Sequence, residues 1–422
     1  MKDYLVQSYG AVGDGVTKNT AAIQAAIEDA AKAGGGRVIV SGGTFLTGSI
    51  TLRSYVELRI ESDATLLGSP DLEDYPEHTE AKHVQLNMLP RWRSGCLIFA
   101  DECQRIALTG SGVIDCNGTH FVRKKEKEYE GWSYERLSLP TPPRVVFFTG
   151  CQHVRIEGLT MTNQPSGWSY WIHDCDYVRM TGLNILADVN YPNNDGIHIN
   201  SSRHVTVSDC NITCGDDAIV LRANNVSLKE NKILEQVTIT NCNLTSYSSA
   251  VRLGWVNDGV IRDCTLSNLT MHNCNVGIGI YLPGSVRKAE MDHSDSAGSD
   301  VGREDTLIER ISFSNIMMDR QTGSPINIYI HPGEHVRVKA IRDLYFNGLH
   351  TRGPEFPDIA GRPGNPIENV CFNDCSFIKT DGKEFEGTEH YAHPHLKSGE
   401  FNPIVMKHVR NVRMNNTTFT VE

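Results

Sequence analysis

Apolar residues recur along this chain in a short fixed pattern, at relative positions 0, 2, 5 and 7, with small or polar residues between them. The pattern is clear at Val154, Ile156, Leu159 and Met161. Alternation at the first two apolar positions predicts a short strand, and the polar or glycine residues that follow predict a corner before a second strand. Further copies begin at Ile106, Val178, Val205, Val237, Ile311, Leu344, Val370 and Val412.

The spacing of the copies indicates a solenoid. The starts at Val154 and Val178 are 24 residues apart, and the next intervals, to Val205 and to Val237, are 27 and 32 residues. Two strands per copy, with no helix between them and too few residues for a propeller blade, favour a parallel β-helix. Each coil of such a fold buries its inner face against the next coil. The predicted fold class is therefore all-β.

One segment near the start has a helical pattern instead. Residues 20–33 form an amphipathic stretch that Gly34 ends, and its Ala/Ile face suits it to cover the open edge of the first coil. We therefore predict a single β-helix domain over residues 1–422, with an N-terminal cap over about residues 1–40. Three stretches that interrupt the repeat are predicted as two projecting loops and one irregular segment, namely 118–143, 284–305 and 380–400.

Composition narrows the class of protein. The 422 residues carry 40 Lys and Arg against 51 Asp and Glu, and the net charge of −11 disfavours a general binder of nucleic acid or anionic membranes. No apolar run approaches the roughly 18–20 residues of a membrane span. The first residues lack the apolar core of a secretory signal, so the chain is expected to be cytoplasmic, or secreted or periplasmic with its signal removed. No cofactor and no metal site are predicted.

The cysteines fit the repeat rather than a metal site. None of the 12 cysteines falls in paired CxxC spacing. Cys210, Cys242, Cys264 and Cys375 fall at or near one corner of their copies and are expected to form an interior ladder of thiols. Because stacked strands lie only about 4.8 Å apart, oxidation of neighbouring thiols is the alternative.

One group of acidic residues stands out. Asp195 ends the run 193–195, and Asp216 and Asp217 follow Gly215. Asp195 and Asp216 are 21 residues apart, close to one coil, so a β-helix brings the three carboxylates to one face. Like charges this close raise the pKa of at least one group, which places a protonated acid beside an ionised base, the pair that glycosidic hydrolysis requires. Turn capping or calcium binding is the alternative role.

At these residues the sequence resembles glycoside hydrolase family 28, the polygalacturonase family of pectin-degrading enzymes. The likeness extends from YGAVGDGVTKNTAAIQAAI through NQPSGWSYWIHDC, PNNDGIHI and CGDDAIVL. The family's Asn-Thr-Asp and Gly-Asp-Asp motifs correspond here to 193–195 and 215–217. The resemblance implies that Asp216 is the general acid and that Asp195 and Asp217 hold and deprotonate water. It also implies inversion of the anomeric centre, with carboxyl groups roughly 6.5–9.5 Å apart.

Two basic motifs of that family are missing. The place of its Gly-His-Gly segment is taken by serines at 248 and 249, and that of its Arg-Ile-Lys segment, which grips the galacturonate carboxylate, by residues 277–281 without a cation. A pocket that lacks both charges is expected to bind a uronate poorly at the scissile position unless another cation substitutes. Arg252 is the candidate substitute, and a charge-balancing pair with Asp216 or Asp217 is the alternative.

Five further side chains are candidates for contact with sugar. Asn193 and Ser249 belong to the segments just described, and Tyr281 ends the segment that lacks the cation. His198 is expected to face the cleft and bind sugar, or to be a satisfied surface histidine. Trp168 is expected to stack on the apolar face of a pyranose ring, or to pack under a loop.

The sequence therefore predicts an inverting glycoside hydrolase, built as a single-stranded right-handed parallel β-helix, that cleaves glycosidic bonds in pectin-type polysaccharides or oligosaccharides. Exo action is the expected mode, on galacturonides or on rhamnose-containing pectic chains. One alternative is a polysaccharide lyase on the same scaffold, which would need a calcium site and a cationic base. The other is a non-catalytic carbohydrate-binding solenoid.

Overall fold

The computed structural model describes residues 2–81, 83–85, 95–125, 133–136, 144–165, 167–284, 301–380 and 404–422. Large parts of the predicted loops 118–143 and 284–305, and nearly all of 380–400, lie outside the described residues. The described chain contains one α-helix, α1 (Thr20–Lys32), and short 3₁₀ turns at Val6–Tyr9, Leu72–Asp74 and Gly118–Phe121.

The strands, in chain order, are β1 (Asp3–Leu5), β2 (Asp14–Lys18), β3 (Gly36–Val40), β4 (Gly43–Thr47), β5 (Ile50–Thr51), β6 (Val56–Ile60), β7 (Ala64–Gly68), β8 (Cys96–Asp101), β9 (Ala107–Gly110), β10 (Val113–Asp115), β11 (Val122–Lys124), β12 (Tyr134–Arg136), β13 (Arg144–Thr149), β14 (Gln152–Glu157), β15 (Thr160–Thr162), β16 (Trp168–His173), β17 (Asp176–Thr181), β18 (Asn184–Leu186), β19 (Ile197–Asn200), β20 (Arg203–Ser208), β21 (Asn211–Cys214), β22 (Ile219–Arg222), β23 (Leu234–Ser246), β24 (Ser249–Leu253), β25 (Val260–His272), β26 (Val276–Leu282), β27 (Thr306–Asp319), β28 (Ile326–Ile330), β29 (Val338–Gly353), β30 (Asp358–Ala360), β31 (Ile367–Asn373), β32 (Ser376–Lys379), β33 (Val405–Lys407), β34 (Val409–Asn415) and β35 (Thr418–Val421).

Two long parallel sheets contain all of these strands except the small antiparallel hairpin of β11 and β12. An 11-stranded sheet stacks one strand from each coil in the order β5, β8, β13, β16, β19, β22, β24, β26, β28, β30 and β33. A 22-stranded sheet supplies the rest of each coil. The predicted all-β, right-handed parallel β-helix with an N-terminal helix is confirmed. That residues 1–422 form a single domain stays a prediction.

The repeated apolar positions stack directly on one another. In the larger sheet Val178 pairs in register with Val205, and Val205 with Val237. These side chains and their counterparts two residues on are buried in one continuous core. A continuous core of this kind explains why the coils cannot be stable one at a time, since each coil's inner face is covered only by its neighbours.

One corner of the coils is built from residues that accept a left-handed backbone. Asp209, Asn241, Asn268 and Asn315 occupy successive coils with φ values of 58°, 56°, 55° and 52°. Asn and Asp tolerate this conformation better than other non-glycine residues. Their side chains also form a ladder, because Asn315 donates to Asn268 at 2.7 Å and Asn268 donates to Asn241 at 3.2 Å.

Helix α1 covers the first coils, as its pattern predicts. Its buried side chains are Ile23, Ala26, Ile27 and Ala30, all of which belong to the common core. The helix ends where Gly34 adopts a φ of 88°, a conformation that favours glycine. Among the described residues, no helix has the length and apolar character needed to cross a membrane.

The cysteine prediction needs one correction. Cys210, Cys242, Cys264 and Cys375 are all buried with free thiols. However, Cys264 pairs in register with Val237, whereas Cys242 pairs with Leu269, so Cys264 belongs to a different row. The physical reason is that β25 contains two equivalent corners, and the sequence pattern alone does not say which one a given cysteine occupies.

Candidate active site

Three carboxylates meet just before the first residues of two consecutive strands, β19 and β22, of the 11-stranded sheet. Asp195 directly precedes Gly196 before β19, and Asp217 directly precedes Ala218 before β22. The Gly196 N–H donates to the Asp217 carbonyl at 3.0 Å, which fixes the two coils in register at this point. One carboxylate oxygen from each of Asp195, Asp216 and Asp217 lies within 4.8 Å of the others. We call these three residues the carboxylate cluster.

Asn194 holds the two chain segments of the cluster together. Its side-chain oxygen accepts from the Gly215 N–H at 2.7 Å, and its amide nitrogen donates to the Asp188 carbonyl at 2.6 Å. Gly215 is required here for space, because a Cβ at this position would lie 2.5 Å from the Tyr191 carbonyl oxygen. Asn194 is a positioning residue that sequence reasoning missed, although it lies inside the motif 193–195.

Asp217 is held by a dense set of donors. Its Oδ1 accepts from Ser248 Oγ at 3.0 Å and from the Ser249 N–H at 3.1 Å, and its Oδ2 accepts from the Arg252 guanidinium. Burial alone would raise the pKa of Asp217, but the Arg252 charge and these hydrogen bonds outweigh burial and lower it. The Asp217 carboxylate is therefore held in its ionised form. Ser248 is a second residue that sequence reasoning did not single out.

The Arg252 side chain forms the charge-balancing ion pair with Asp217. Besides its pair with Asp217, its Nη1 donates to the Gly254 carbonyl at 3.1 Å, and the guanidinium lies 4.8 Å from the centre of the Trp255 ring. Burial would lower the pKa of Arg252, and the charge of Asp217 reverses this and raises it. The expectation that Arg252 replaces the missing clamp is thus not supported by its contacts.

Asp195 shares a hydrogen bond with His198, which follows it by three residues on the same chain segment. His198 Nε2 is 2.8 Å from Asp195 Oδ2, and the Trp168 ring stacks on the imidazole with centroids 3.9 Å apart. His198 and Trp168 are only 1% and 5% exposed. In this arrangement both rings support Asp195, and the contacts with sugar that the sequence suggests for them stay a prediction.

Asp216 has the largest exposed fraction in the cluster, 8% against 3% for Asp195 and 4% for Asp217. Asn193 Nδ2 donates to its Oδ2 at 2.9 Å, so Asn193 lies beside the cluster, and its predicted contact with sugar stays a prediction. The distance of 4.8 Å joins single oxygens of the three residues, whereas roughly 6.5–9.5 Å separates whole carboxyl groups in inverting enzymes, so the predicted spacing stays a prediction.

A second buried ion pair joins Arg222, the last residue of β22, to Asp258, which lies between β24 and β25. Arg222 donates to both oxygens of Asp258, at 2.6 and 2.8 Å, and both side chains are buried. The positive charge of Arg222 acts on Arg252, so it lies close enough to shape the field of the site. No sequence signal identifies Asp258, because it lies in a turn outside every motif.

The place of the family's cationic segment is closed by an aromatic ring. Gly279, on strand β26, pairs in register with Arg252 on the neighbouring strand β24. A Cβ at Gly279 would lie 2.6 Å from Cε2 of Tyr281, so the Tyr281 ring fills the space that a side chain there would take. Tyr281 also interacts with Ser249, and burial raises the pKa of its phenol, which keeps it protonated.

The cluster is better suited to proton chemistry than to holding a metal. Three carboxylates are a donor set that Ca²⁺ accepts. Both oxygens of Asp217, however, already accept hydrogen bonds, and a cation bound there would face the Arg252 guanidinium. The arrangement instead offers one ionised carboxylate beside two others in a buried environment, where charges interact strongly.

Comparison with known proteins connects this site to a family. A model of glycosyl hydrolases family 28 matches residues 79–331, which include the whole carboxylate cluster. The chain belongs to this family. A second model, of the rhamnogalacturonase A/epimerase, pectate lyase-like type, matches residues 5–75 at the start of the solenoid.

Individual family 28 relatives are distant. A probable polygalacturonase of Vitis vinifera is 30% identical over 51% of this chain and 43% of its own length. An exo-poly-α-D-galacturonosidase of Dickeya chrysanthemi is 26% identical over 51% of this chain and 41% of its own length. The matched part thus spans less than half the length of these curated relatives. The crystal structure of an exopolygalacturonase from Thermotoga maritima covers 90% of this chain and 88% of its own, with a TM-score of 0.71 at 21% identity, which shows the shared fold.

Proposed function

We propose that this chain is a glycoside hydrolase that cleaves glycosidic bonds in pectin-type polysaccharides or oligosaccharides. The observation that carries the proposal is the convergence of Asp195, Asp216 and Asp217 within 4.8 Å, with Asp217 bound by Arg252. Membership of family 28 supports this substrate class, and so do the names of the matched relatives.

Each carboxylate has a different proposed task. Asp216 is the general acid that protonates the leaving oxygen, since it is the most exposed of the three and bonds to a neutral amide, Asn193. Asp217, held ionised by Arg252, accepts a proton from the attacking water. Asp195 orients that water, with His198 fixing the carboxylate from behind. Inversion at the anomeric carbon rests on family membership, because the spacing of the carboxylates does not argue for it.

Exo action is also part of the proposal. It is supported by the names of two similar proteins, the exo-poly-α-D-galacturonosidase of Dickeya chrysanthemi and the exopolygalacturonase of Thermotoga maritima. The uronate selectivity of those proteins does not carry over directly. Tyr281 fills the space over Gly279, and Arg252 is bound to Asp217, so within the described residues neither position offers a cation to a uronate at the scissile bond. Galacturonides and rhamnose-containing pectic chains therefore both remain candidate substrates.

The test is a panel of pectic oligosaccharides, including homogalacturonan and rhamnose-capped fragments, with products followed by proton NMR. Hydrolysis with inverted configuration and release of single sugars is the expected result. A ladder of oligomers would overturn exo action. An unsaturated product that absorbs ultraviolet light and depends on calcium would replace hydrolysis by the lyase alternative, and binding with no product from any member would favour the non-catalytic solenoid.

A further inference from the structure

A cavity of about 410 Å³ opens on the same sheet, beyond the carboxylate cluster toward the C-terminal coils. We call it the C-terminal pocket, and it extends from Trp255 to Lys407. Its floor continues the row in which Arg252 stands, because Arg252, Gly279, Asn327 and Asp358 pair in register on successive strands. Two strand spacings, about 10 Å, separate Arg252 from Asn327. A single bound oligosaccharide can therefore reach both regions.

The walls of the pocket are aromatic and apolar. Trp255, Tyr281 and Tyr329 line it together with Pro283 and Pro332. The three aromatic residues are only partly buried, and part of each side chain faces the cavity. Aromatic faces match the apolar face of a pyranose ring, and apolar walls around a few fixed polar groups are typical of small-molecule sites.

The floor of the pocket carries two acceptor oxygens that nothing in the described part of the chain satisfies. Asn327 is only 3% exposed, and its Oδ1 has no hydrogen-bond partner there. The same holds for Oδ1 of Asp358, its neighbour on the next strand. Leaving a buried acceptor without a donor is energetically unfavourable, so such groups normally mark a bound water or ligand. Both residues line the pocket, so a ligand whose hydroxyl groups donate hydrogen bonds is the kind of occupant that would satisfy these oxygens.

Charges of both signs surround the pocket, because Asp358 stands on its floor and Arg362, Lys407 and His408 line its walls. Burial raises the pKa of Asp358, and the charge of Lys407 acts in the opposite direction, which pairs these two groups electrostatically. Arg362 also lines the pocket, but its guanidinium donates to the carbonyls of His331, Gly333 and Val336. A carboxylate placed on the floor would face the acceptors of Asn327 and Asp358 rather than donors.

We propose that the C-terminal pocket binds a neutral glycosyl unit, whose hydroxyl groups donate to Asn327 and Asp358 while its ring packs against the aromatic walls. This inference rests on the proposed function, and it names the substrate class: a pectic oligosaccharide with a neutral sugar near the cleaved bond. It also accounts for the missing cations, because a neutral unit has no carboxylate for them to bind.

The test separates binding from turnover. The Asp216→Asn variant is titrated with methyl α-D-galactopyranoside, methyl α-L-rhamnopyranoside and methyl α-D-galactopyranosiduronate, and binding is measured by ligand-observed NMR. At least one neutral glycoside should bind about tenfold more tightly than the uronate, which corresponds to one unsatisfied acceptor. Equal or tighter binding of the uronate, or no binding of either neutral glycoside, would overturn the proposal.

Two substitutions locate the effect in the pocket. Asn327→Leu, of similar size, should weaken neutral-glycoside binding about tenfold because it removes an acceptor. Asp358→Asn should weaken it less and raise uronate affinity, since it replaces a carboxylate with an amide that also donates. The control is Asp63→Asn, at an exposed acid far from the site. If Asn327→Leu fails to fold, Asp358→Asn decides alone, and an unchanged ratio of uronate to neutral affinity contradicts the proposal.

The outcomes also distinguish this proposal from the proposed function. Selective binding of neutral glycosides by a wild-type protein that hydrolyses no pectic substrate would remove the function and keep the pocket assignment. Hydrolysis with no preference between the three methyl glycosides would keep the function and remove the pocket assignment.

Discussion

The carboxylate cluster and the C-terminal pocket lie on one face of the same sheet, but they are built in opposite ways. In the cluster, Asp217 accepts hydrogen bonds on both oxygens, and Asp195 and Asp216 are bonded to His198 and Asn193. In the pocket, acceptor oxygens of Asn327 and Asp358 have no partner among the described residues. The difference teaches that the proposed chemistry is arranged before substrate arrives, as preorganised catalysis requires, whereas selectivity depends on groups that only a ligand can satisfy.

The largest effect that tests this contrast is expected at Asp216. The change Asp216→Asn removes the proposed proton donor and should lower turnover by about 10²–10⁴-fold, the usual contribution of a general acid. Binding of neutral glycosides at the C-terminal pocket should not change. Initial rates on pectic oligosaccharides measure the first effect, with Asp63→Asn as the matched control. Turnover close to that of the wild type would remove Asp216 from its proposed role.

The next effect is expected on stability. The change Arg252→Met leaves the Asp217 carboxylate buried without its cation and should lower the free energy of unfolding by about 3–5 kcal/mol. The matched control is Arg123→Met, which breaks an exposed pair with Glu135 and should cost at most about 1 kcal/mol. Urea unfolding measures both. Equal losses for the two variants would show that the buried pair of Arg252 and Asp217 stabilises the fold no more than an exposed pair does.

The same pair predicts a dependence of stability on pH. The pKa of Asp217 lies below its unfolded value of 3.8, so the pair stabilises the folded state fully above that pH, and this contribution is lost as pH falls through the folded pKa. The difference in unfolding free energy between the wild type and Arg252→Met should therefore be widest above about pH 4 and narrow below it. Unfolding curves between about pH 3 and 6 measure this difference. A difference that is independent of pH over this range would contradict the assignment.

A smaller effect probes the boundary between the two regions. Gly279→Lys forces a side chain into the Tyr281 ring and should destabilise the fold by about 1–3 kcal/mol through overpacking. The double change Gly279→Lys with Tyr281→Ser provides space for the lysine and should recover part of that loss. Binding of the methyl galacturonide should then improve, because a cation replaces the ring. No recovery in the double variant would mean that the Tyr281 ring is not what closes this position.

Much of the fold follows from the sequence because one local rule is repeated. Apolar residues with period two, broken by a polar corner, specify strands that bury only when stacked, and the observed register of Val178, Val205 and Val237 follows. The convergence of Asp195 with Asp216 follows as well, since both come from motifs that lie about one coil apart.

The contacts of individual side chains do not follow from the same rule. The direction of Arg252, the burial of Trp168 and His198, and the row of Cys264 depend on which neighbour the next coil supplies. Asn327 and Asp358 are neighbours because strands β28 and β30 pair in this register. The coils between them differ in length, so no local sequence pattern predicts which residues will pair. The C-terminal pocket was therefore absent from the sequence-based predictions, although the strands that form it were not.

The most direct measurement is a competition between two pectic oligosaccharides of equal length, one entirely of galacturonate and one with a neutral sugar beside the susceptible bond. Both are mixed with the wild-type protein, and proton NMR follows their consumption and products. We expect hydrolysis of the second at least about tenfold faster, the advantage of satisfying one buried acceptor, with no unsaturated product. Faster consumption of the all-galacturonate chain, or an unsaturated product from either, would contradict it.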